Sequence, residues 1–159
     1  MKILLPVDGS PAALAAVQYA LRLTQAGLQA SFVLVNVQEP ASLYELVVAH
    51  DAEVIERVRG AAGADLLAPA EALLEAAGLQ YESEVAGGDP ANLLLELLEN
   101  YGCTAVVMGA CGIGESTSDL GSVATALLHN STVPVTVVRP SEAAEVTDSS
   151  DSAEDAGER

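Results

Sequence analysis

Tryptophan is absent, phenylalanine occurs once and tyrosine four times in 159 residues. A core without aromatic bulk has to be filled by Leu, Val, Ile and Ala. Half the chain is apolar, which excludes general disorder. Cations are nearly as scarce: six Lys and Arg stand against 23 Asp and Glu, a net charge of -17. Lys2, Arg22, Arg57, Arg59, Arg139 and Arg159 form no stripe beyond the Arg57/Arg59 pair. Holding a phosphate backbone or an anionic bilayer takes several converging cations, so nucleic acid and membrane are excluded as expected partners. Two cysteines, Cys103 and Cys111, supply neither a disulfide framework nor a four-ligand metal set, and fit a reducing compartment. No apolar run approaches a membrane span, and the run opening MKILLPVDGS is too short for a secretory leader. The expectation is a soluble cytoplasmic protein of one-domain size.

What is present is a repeated alternation of short apolar runs with longer segments of helical spacing. Residues 3–7 form a continuous apolar run that stops at Asp8-Gly9-Ser10-Pro11, which reads as a buried strand and a turn. Ser10 followed by Pro11 is a helix start, with Ser as cap and Pro in the first turn; Gly27 closes that helix. Residues 31–37, SFVLVNV, are a second strand. Residues 42–59 and 63–77 read as two helices, or as one broken around Gly60 and Gly63. Residues 79–85 alternate and are more polar, which places that third strand near a sheet edge. Asp89-Pro90 opens a helix over 91–101, TAVVM at 104–108 is a fourth strand, and Gly121 or Ser122 opens a last helix before VPVTVV at 133–138.

The order βαβααβαβαβ implies right-handed crossovers and a doubly wound five-stranded parallel sheet in a single-domain, three-layer α/β/α arrangement, Rossmann-like. The domain is expected over residues 1–140. Residues 141–159 hold seven acidic residues, one Arg and one branched aliphatic, and read as a disordered acidic tail. Without it, 16 acidic and 5 basic residues leave a net charge of -11, so the body is acidic in its own right.

A doubly wound sheet opens its ligand crevice at the carboxyl ends of the strands, where strand order reverses. Asp8 ends the first strand there. Gly109, Gly112, Gly121 and Ser122 follow the fourth. Glycines let main-chain N–H groups approach phosphate oxygens and reach positive φ, and a helix start adds unsatisfied donors and partial positive charge. The plainer alternative is that such glycines only shape a loop and that Asp8 caps its own turn. Cys111 sits within the loop, where a redox role competes with that of a passive thiol. Cys103 is expected in the core. His50 and His129 have no partner at catalytic or metal spacing, and Ser116, Thr117 and Ser118 are a candidate phospho-acceptor run of the sort surface loops often carry. No general base, phosphate-binding Lys, arginine finger or G-x-S-x-G elbow is present, so no catalytic or resident metal residues are assigned.

The segments ILLPVDGSP, LVNVQEP and MGACGIG…LGSVATALLHNSTVPVTVVRP together resemble the universal stress protein family over about residues 1–140. Many members of that family bind ATP or AMP and others bind none. The resemblance implies a nucleotide held by Pro6, Asp8, the Val37 backbone, Gly109, Gly112, Gly121, Ser122 and Val123. It also implies a homodimer paired through the last strand, with slow ATP hydrolysis or autophosphorylation as the most turnover to expect. The spacer IGESTSDL between Gly112 and Gly121 is one residue shorter than in the family's nucleotide-binding motif. It carries Glu115 and Asp119 and no cation, so a phosphate chain there is repelled unless Mg²⁺ bridges it. Two functions stay open: a nucleotide-binding stress protein, and a homodimeric adaptor that binds no nucleotide.

Overall fold

A computed structural model describes residues 1–40, 42, 45, 47, 48, 51–116 and 118–140. The elements run β1 (Lys2–Pro6), α1 (Pro11–Gln25), β2 (Ser31–Gln38), α2 (Ala52–Ala76), β3 (Tyr81–Gly87), α3 (Pro90–Tyr101), β4 (Ala105–Gly109), α4 (Ser122–Asn130) and β5 (Val135–Val138). The sheet order is β3-β2-β1-β4-β5 and every pairing is parallel. β3 is an edge, as its polar alternation requires, and β5 is the other.

The central strands are apolar through most of their length because both faces of the sheet are covered. Successive side chains point to opposite sides. Ile3, Leu5, Phe32, Leu34 and Val107 therefore pack with α1 and α2, while Leu4, Val33, Val35, Val106 and Met108 pack with α3 and α4. Leu4 sits in register between Val33 and Val106. Cys103 belongs to the second cluster, and burial pushes its thiol pKa up.

The residues around Gly60 and Gly63 depart from the expected break. One helix, α2, runs through both and through Pro69, starting at an Asp51 cap that accepts from Glu53 N. Gly63 is in the helix for proximity: a Cβ there would strike Val85 and come within 2.9 Å of Asn36 Oδ1. Residues 41–50 are described only in part: Ser42 exchanges hydrogen bonds with Glu45, donating its N–H to Glu45 Oε2 at 2.8 Å and accepting from Glu45 N at 3.2 Å, while His50 lies outside the described residues, as do Thr117 and the tail at 141–159. β3 begins at Tyr81, two residues later than the sequence suggests, and β5 is confined to Val135–Val138.

Opposite the carboxyl ends of the strands, side chains tie the second layer to the β3 edge. Tyr101, the last residue of α3, donates its hydroxyl to Glu84, and Tyr81 donates to Glu75 of α2. Hydrogen bonding to these carboxylates is the main reason both phenols are pushed up to about 12.

Candidate functional site

β1 feeds α1 on one face of the sheet and the neighbouring β4 feeds α4 on the other, so the chain parts between the two strands. A cavity of about 640 Å³ opens at that parting. Pro6, Asp8 and Val37 line it from β1 and β2; Gly109, Gly112, Gly121, Ser122 and Val123 line it from β4 and the start of α4. All eight positions singled out in the sequence thus face one space. Val35, Leu94 and Ala124 add apolar wall, and α3 adds Asp89, Pro90 and Ala91 at the rim.

Asp8 caps its own turn, the plainer of its two readings. Oδ1 accepts from Ser10 N at 2.9 Å and closes the turn, while Oδ2 points at Gly112, 2.9 Å from where a Cβ would stand. Ser10 caps α1 by accepting from Ala13 N at 3.1 Å. Asn36, 1 % exposed, donates Nδ2 to Val7 O at 2.8 Å and accepts from Gln38, which fixes the end of β1 beside the cavity. A lone Asn within a strand gave no sequence signal of this. Val35 O accepts from Val7 N, and alternate residues of a strand face alternate neighbours. The main-chain groups of Val37 therefore turn toward β1 past its last paired residue, Pro6.

The glycines differ in what they do. None of Gly109, Gly112 and Gly121 has positive φ, contrary to expectation; around the cavity that conformation belongs to Gly9 (φ 85°) and Gly114 (φ 76°). Gly109 is required by α1, whose Ala12 carbonyl carbon would lie 2.7 Å from a Cβ. Two of the amides expected to meet phosphate already have acceptors. Gly121 N donates to Ala110 O at 2.7 Å, and Gly112 N donates to Glu115 Oε2 at 2.8 Å. The open donors lie one step further on. Gly121 caps α4 without any side-chain hydrogen bond, and the first-turn amides of Ser122, Val123 and Ala124 have no partner within the helix.

The remaining candidates stay apart from this chemistry. Cys111 is buried in the cavity wall, its carbonyl 3.5 Å from Ser10 Oγ. His129 lies exposed in the last turn of α4, away from the cavity lining. Ser116 and Ser118 are exposed and hydrogen-bond each other at 2.7 Å. Among the described residues no three His, Cys, Asp or Glu side chains are grouped to hold a metal ion.

Residues 1–139 match the universal stress protein family. The chain belongs to that family. A curated relative, the universal stress protein MJ0531 of Methanocaldococcus jannaschii, is 29% identical over 139 residues, covering 87% of this chain and 81% of the relative. Among solved structures, the hypothetical protein MJ0577 superposes with a TM-score of 0.72 at 24% identity over 86% of this chain and 94% of its own. A universal stress protein in complex with cAMP gives 0.66 at 24% over 89% and 98%. An Arabidopsis thaliana family member with AMP bound gives 0.66 at 16% over 91% and 94%. These likenesses bear on the fold, and the five-stranded parallel sheet of this universal stress protein is the fold they share. Among its described residues no helix is long and apolar enough to cross a membrane.

The cavity of this universal stress protein has three features that bear on a ligand. Its volume is in the usual range for small ligands, its apolar walls suit a base, and the open end of α4 suits an anion. Its charge is the unusual part. Asp8, Glu39, Asp89 and Glu115 line it, and among the described residues no Lys or Arg does. Asp8 and Glu115 both reach toward Gly112, so a Mg²⁺ ion carried by a phosphate chain would meet carboxylate oxygens there.

Proposed function

We propose that this universal stress protein is a cytoplasmic, non-enzymatic stress-response protein that binds an adenine nucleotide, AMP or ATP, in the cavity between β1 and β4. The observation that carries the reading is the meeting of the uncapped start of α4 with the apolar pocket at the switch point of the sheet. Pro6, Val37 and the neighbouring apolar wall would hold the base and ribose. Asp8 Oδ2 would take a ribose hydroxyl or a cation. The Ser122 and Val123 amides, with the Ser122 hydroxyl, would take phosphate oxygens. The bound forms of two relatives, AMP in one and cAMP in the other, support a ligand with a single phosphate. Mg²⁺ is the expected companion of ATP, since among the described residues no Lys or Arg lines the cavity. Isothermal titration of the purified chain with AMP and with Mg-ATP tests this, and a stable complex with either is expected. Absence of heat and of any thermal shift at millimolar nucleotide overturns it.

A second reading has its own observation. Among the described residues β5 (Val135–Val138) is an unpaired sheet edge, and such an edge invites a second copy related by two-fold symmetry. On this reading residues 1–140 form a homodimeric adaptor that works through protein contacts, with 141–159 as its acidic tail. Light scattering at micromolar concentration distinguishes the dimer from a monomer, and the nucleotide titration separates this adaptor, which binds no nucleotide, from the first reading.

A further inference from the structure

We infer that Glu115 is the residue that sets how much phosphate charge the cavity accepts. Its carboxylate is seated where an anion belongs. Oε2 accepts from Gly112 N at 2.8 Å and fills the gap left by the missing side chain of Gly121, where a Cβ would collide with it. The turn that delivers it is short: Glu115 N reaches back to Gly112 O at 3.4 Å. The loop thus carries its own occupant for a seat built from a main-chain amide and a glycine gap. Asp8 Oδ2 faces the same glycine, so the seat holds negative charge from two sides, and among the described residues no Lys or Arg lines the cavity there.

This inference rests on the nucleotide reading above and adds a selectivity to it. A single phosphate can use the α4 amides and leave Glu115 in place. A longer phosphate chain has to run toward Gly112, and there it must displace the Glu115 carboxylate or share a divalent cation with it. The cavity therefore prefers adenosine and AMP over ATP when no divalent metal is present, and Mg²⁺ narrows that preference. Glu115 is exposed, so its replacement removes an occupant and leaves the core untouched.

The test is titration calorimetry of the full chain with adenosine, AMP and ATP, each in EDTA and in Mg²⁺, for the unaltered protein, Glu115→Gln, Glu115→Ala and Asp119→Asn. Asp119 is a carboxylate of the same loop that does not line the cavity. In EDTA both Glu115 variants are expected to tighten ATP by roughly tenfold or more, with adenosine unchanged, because a like charge is removed at contact range. Asp119→Asn is expected to leave all three affinities within about twofold, being an exposed charge outside the seat. In Mg²⁺ the gain at Glu115 shrinks. An amide nitrogen NMR spectrum adds a readout that needs no nucleotide: Gly112 shifts in Glu115→Ala and stays in Asp119→Asn. Equal ATP affinity in the unaltered protein and Glu115→Gln overturns the inference while the nucleotide reading stands. An equal gain from Asp119→Asn also overturns it, since the effect is then one of overall charge. No binding of any ligand to any of the four proteins overturns both.

Discussion

α1 and α4 begin at the ends of adjacent strands and face the same cavity, yet their first turns are finished differently. At α1, Ser10 takes the Ala13 amide, Pro11 removes one donor, and Asp8 takes the Ser10 amide. Most of its first-turn donors are thereby used within the protein. At α4 the cap is Gly121, which has no side chain to offer, and the first turn holds no acidic residue. α3, whose start also reaches the rim, is closed by Asp89 accepting from Asn92 N at 3.1 Å. Three helix starts thus surround one cavity, and the protein itself closes two of them. On the nucleotide reading, the difference would leave one anion seat among several helix ends by satisfying the others locally. A free helix start is favourable only if something negative or water fills it.

The largest effect is expected where the two helices depend on each other. A Cβ on Gly109 would lie 2.7 Å from the Ala12 carbonyl carbon and 2.8 Å from Ala13 N, which are backbone atoms that cannot turn aside. Gly109→Val should push the capped end of α1 off β4 and cost about 3 kcal/mol of stability, at the upper end for overpacking. Urea unfolding measures it. A loss under about 1 kcal/mol would mean that α1 can shift freely, and the contrast between a fixed and an open helix end would weaken.

Next in size is to close the open end. Gly121→Ser gives α4 the cap that α1 has. The new Cβ displaces the Glu115 carboxylate and comes within 3.3 Å of Cys111 Cα. Nucleotide affinity is expected to fall roughly tenfold or more, because the amides meant for phosphate gain an internal acceptor. Calorimetry with AMP reads it, and circular dichroism checks that the helix persists. An unchanged affinity would take the phosphate away from α4.

Opening the closed end is the converse. Ser10→Ala is expected to cost about 1 kcal/mol, the usual value of a lost cap. Because Pro11 has already removed a donor and Ser10 is buried, AMP affinity should stay within about twofold, as for independent sites. Tighter binding would show that any bared helix end at this cavity serves, and the asymmetry would then be incidental.

The asymmetry was half visible in the sequence. Ser10-Pro11 and Asp89-Pro90 announce capped helices because a cap is a local event, one side chain bonding an amide two or three residues on. The strand positions were legible for a similar reason: runs such as ILLPV and SFVLV are apolar throughout only if both faces of a sheet are covered. Gly121 could be read as a helix start, but its amide bond to Ala110 O and the fold-back of Glu115 onto Gly112 depend on where the loop closes in space. Glu115 was legible as a charge in the wrong place and not as an occupant. Gly63 misled because a glycine that breaks a helix and one that lets it touch a sheet look alike in sequence, and only the nearness of Val85 and Asn36 separates them. Asn36 carried no pattern at all.

The smallest effect is expected at the other end of α3, and it sharpens the comparison by leaving the cavity alone. Tyr101 closes α3 there against Glu84, with its pKa raised to about 12 chiefly by that hydrogen bond, and Tyr81 is raised likewise by Glu75. An unfolded phenol titrates near 10. Below that pH both states hold the proton and the hydrogen bonds contribute fully. Between pH 10 and about 12 the unfolded chain releases protons that the folded chain keeps, so stability falls as pH rises, and above about 12 the contribution is gone. Both side chains are only partly buried, so solvent screens these hydrogen bonds and the loss should be a modest slope in urea midpoints across that window, smaller still in Tyr101→Phe. Ultraviolet titration of the phenols should place two of the four tyrosines late. AMP affinity should not follow the slope of Tyr101→Phe at neutral pH, because the bond it removes ties α3 to a sheet edge, whereas the seat is made by a different helix at the opposite end of the strands. If that variant did weaken AMP, the β3 edge and the cavity would be mechanically joined, and the closed start of α3 would have a part in binding that its cap conceals.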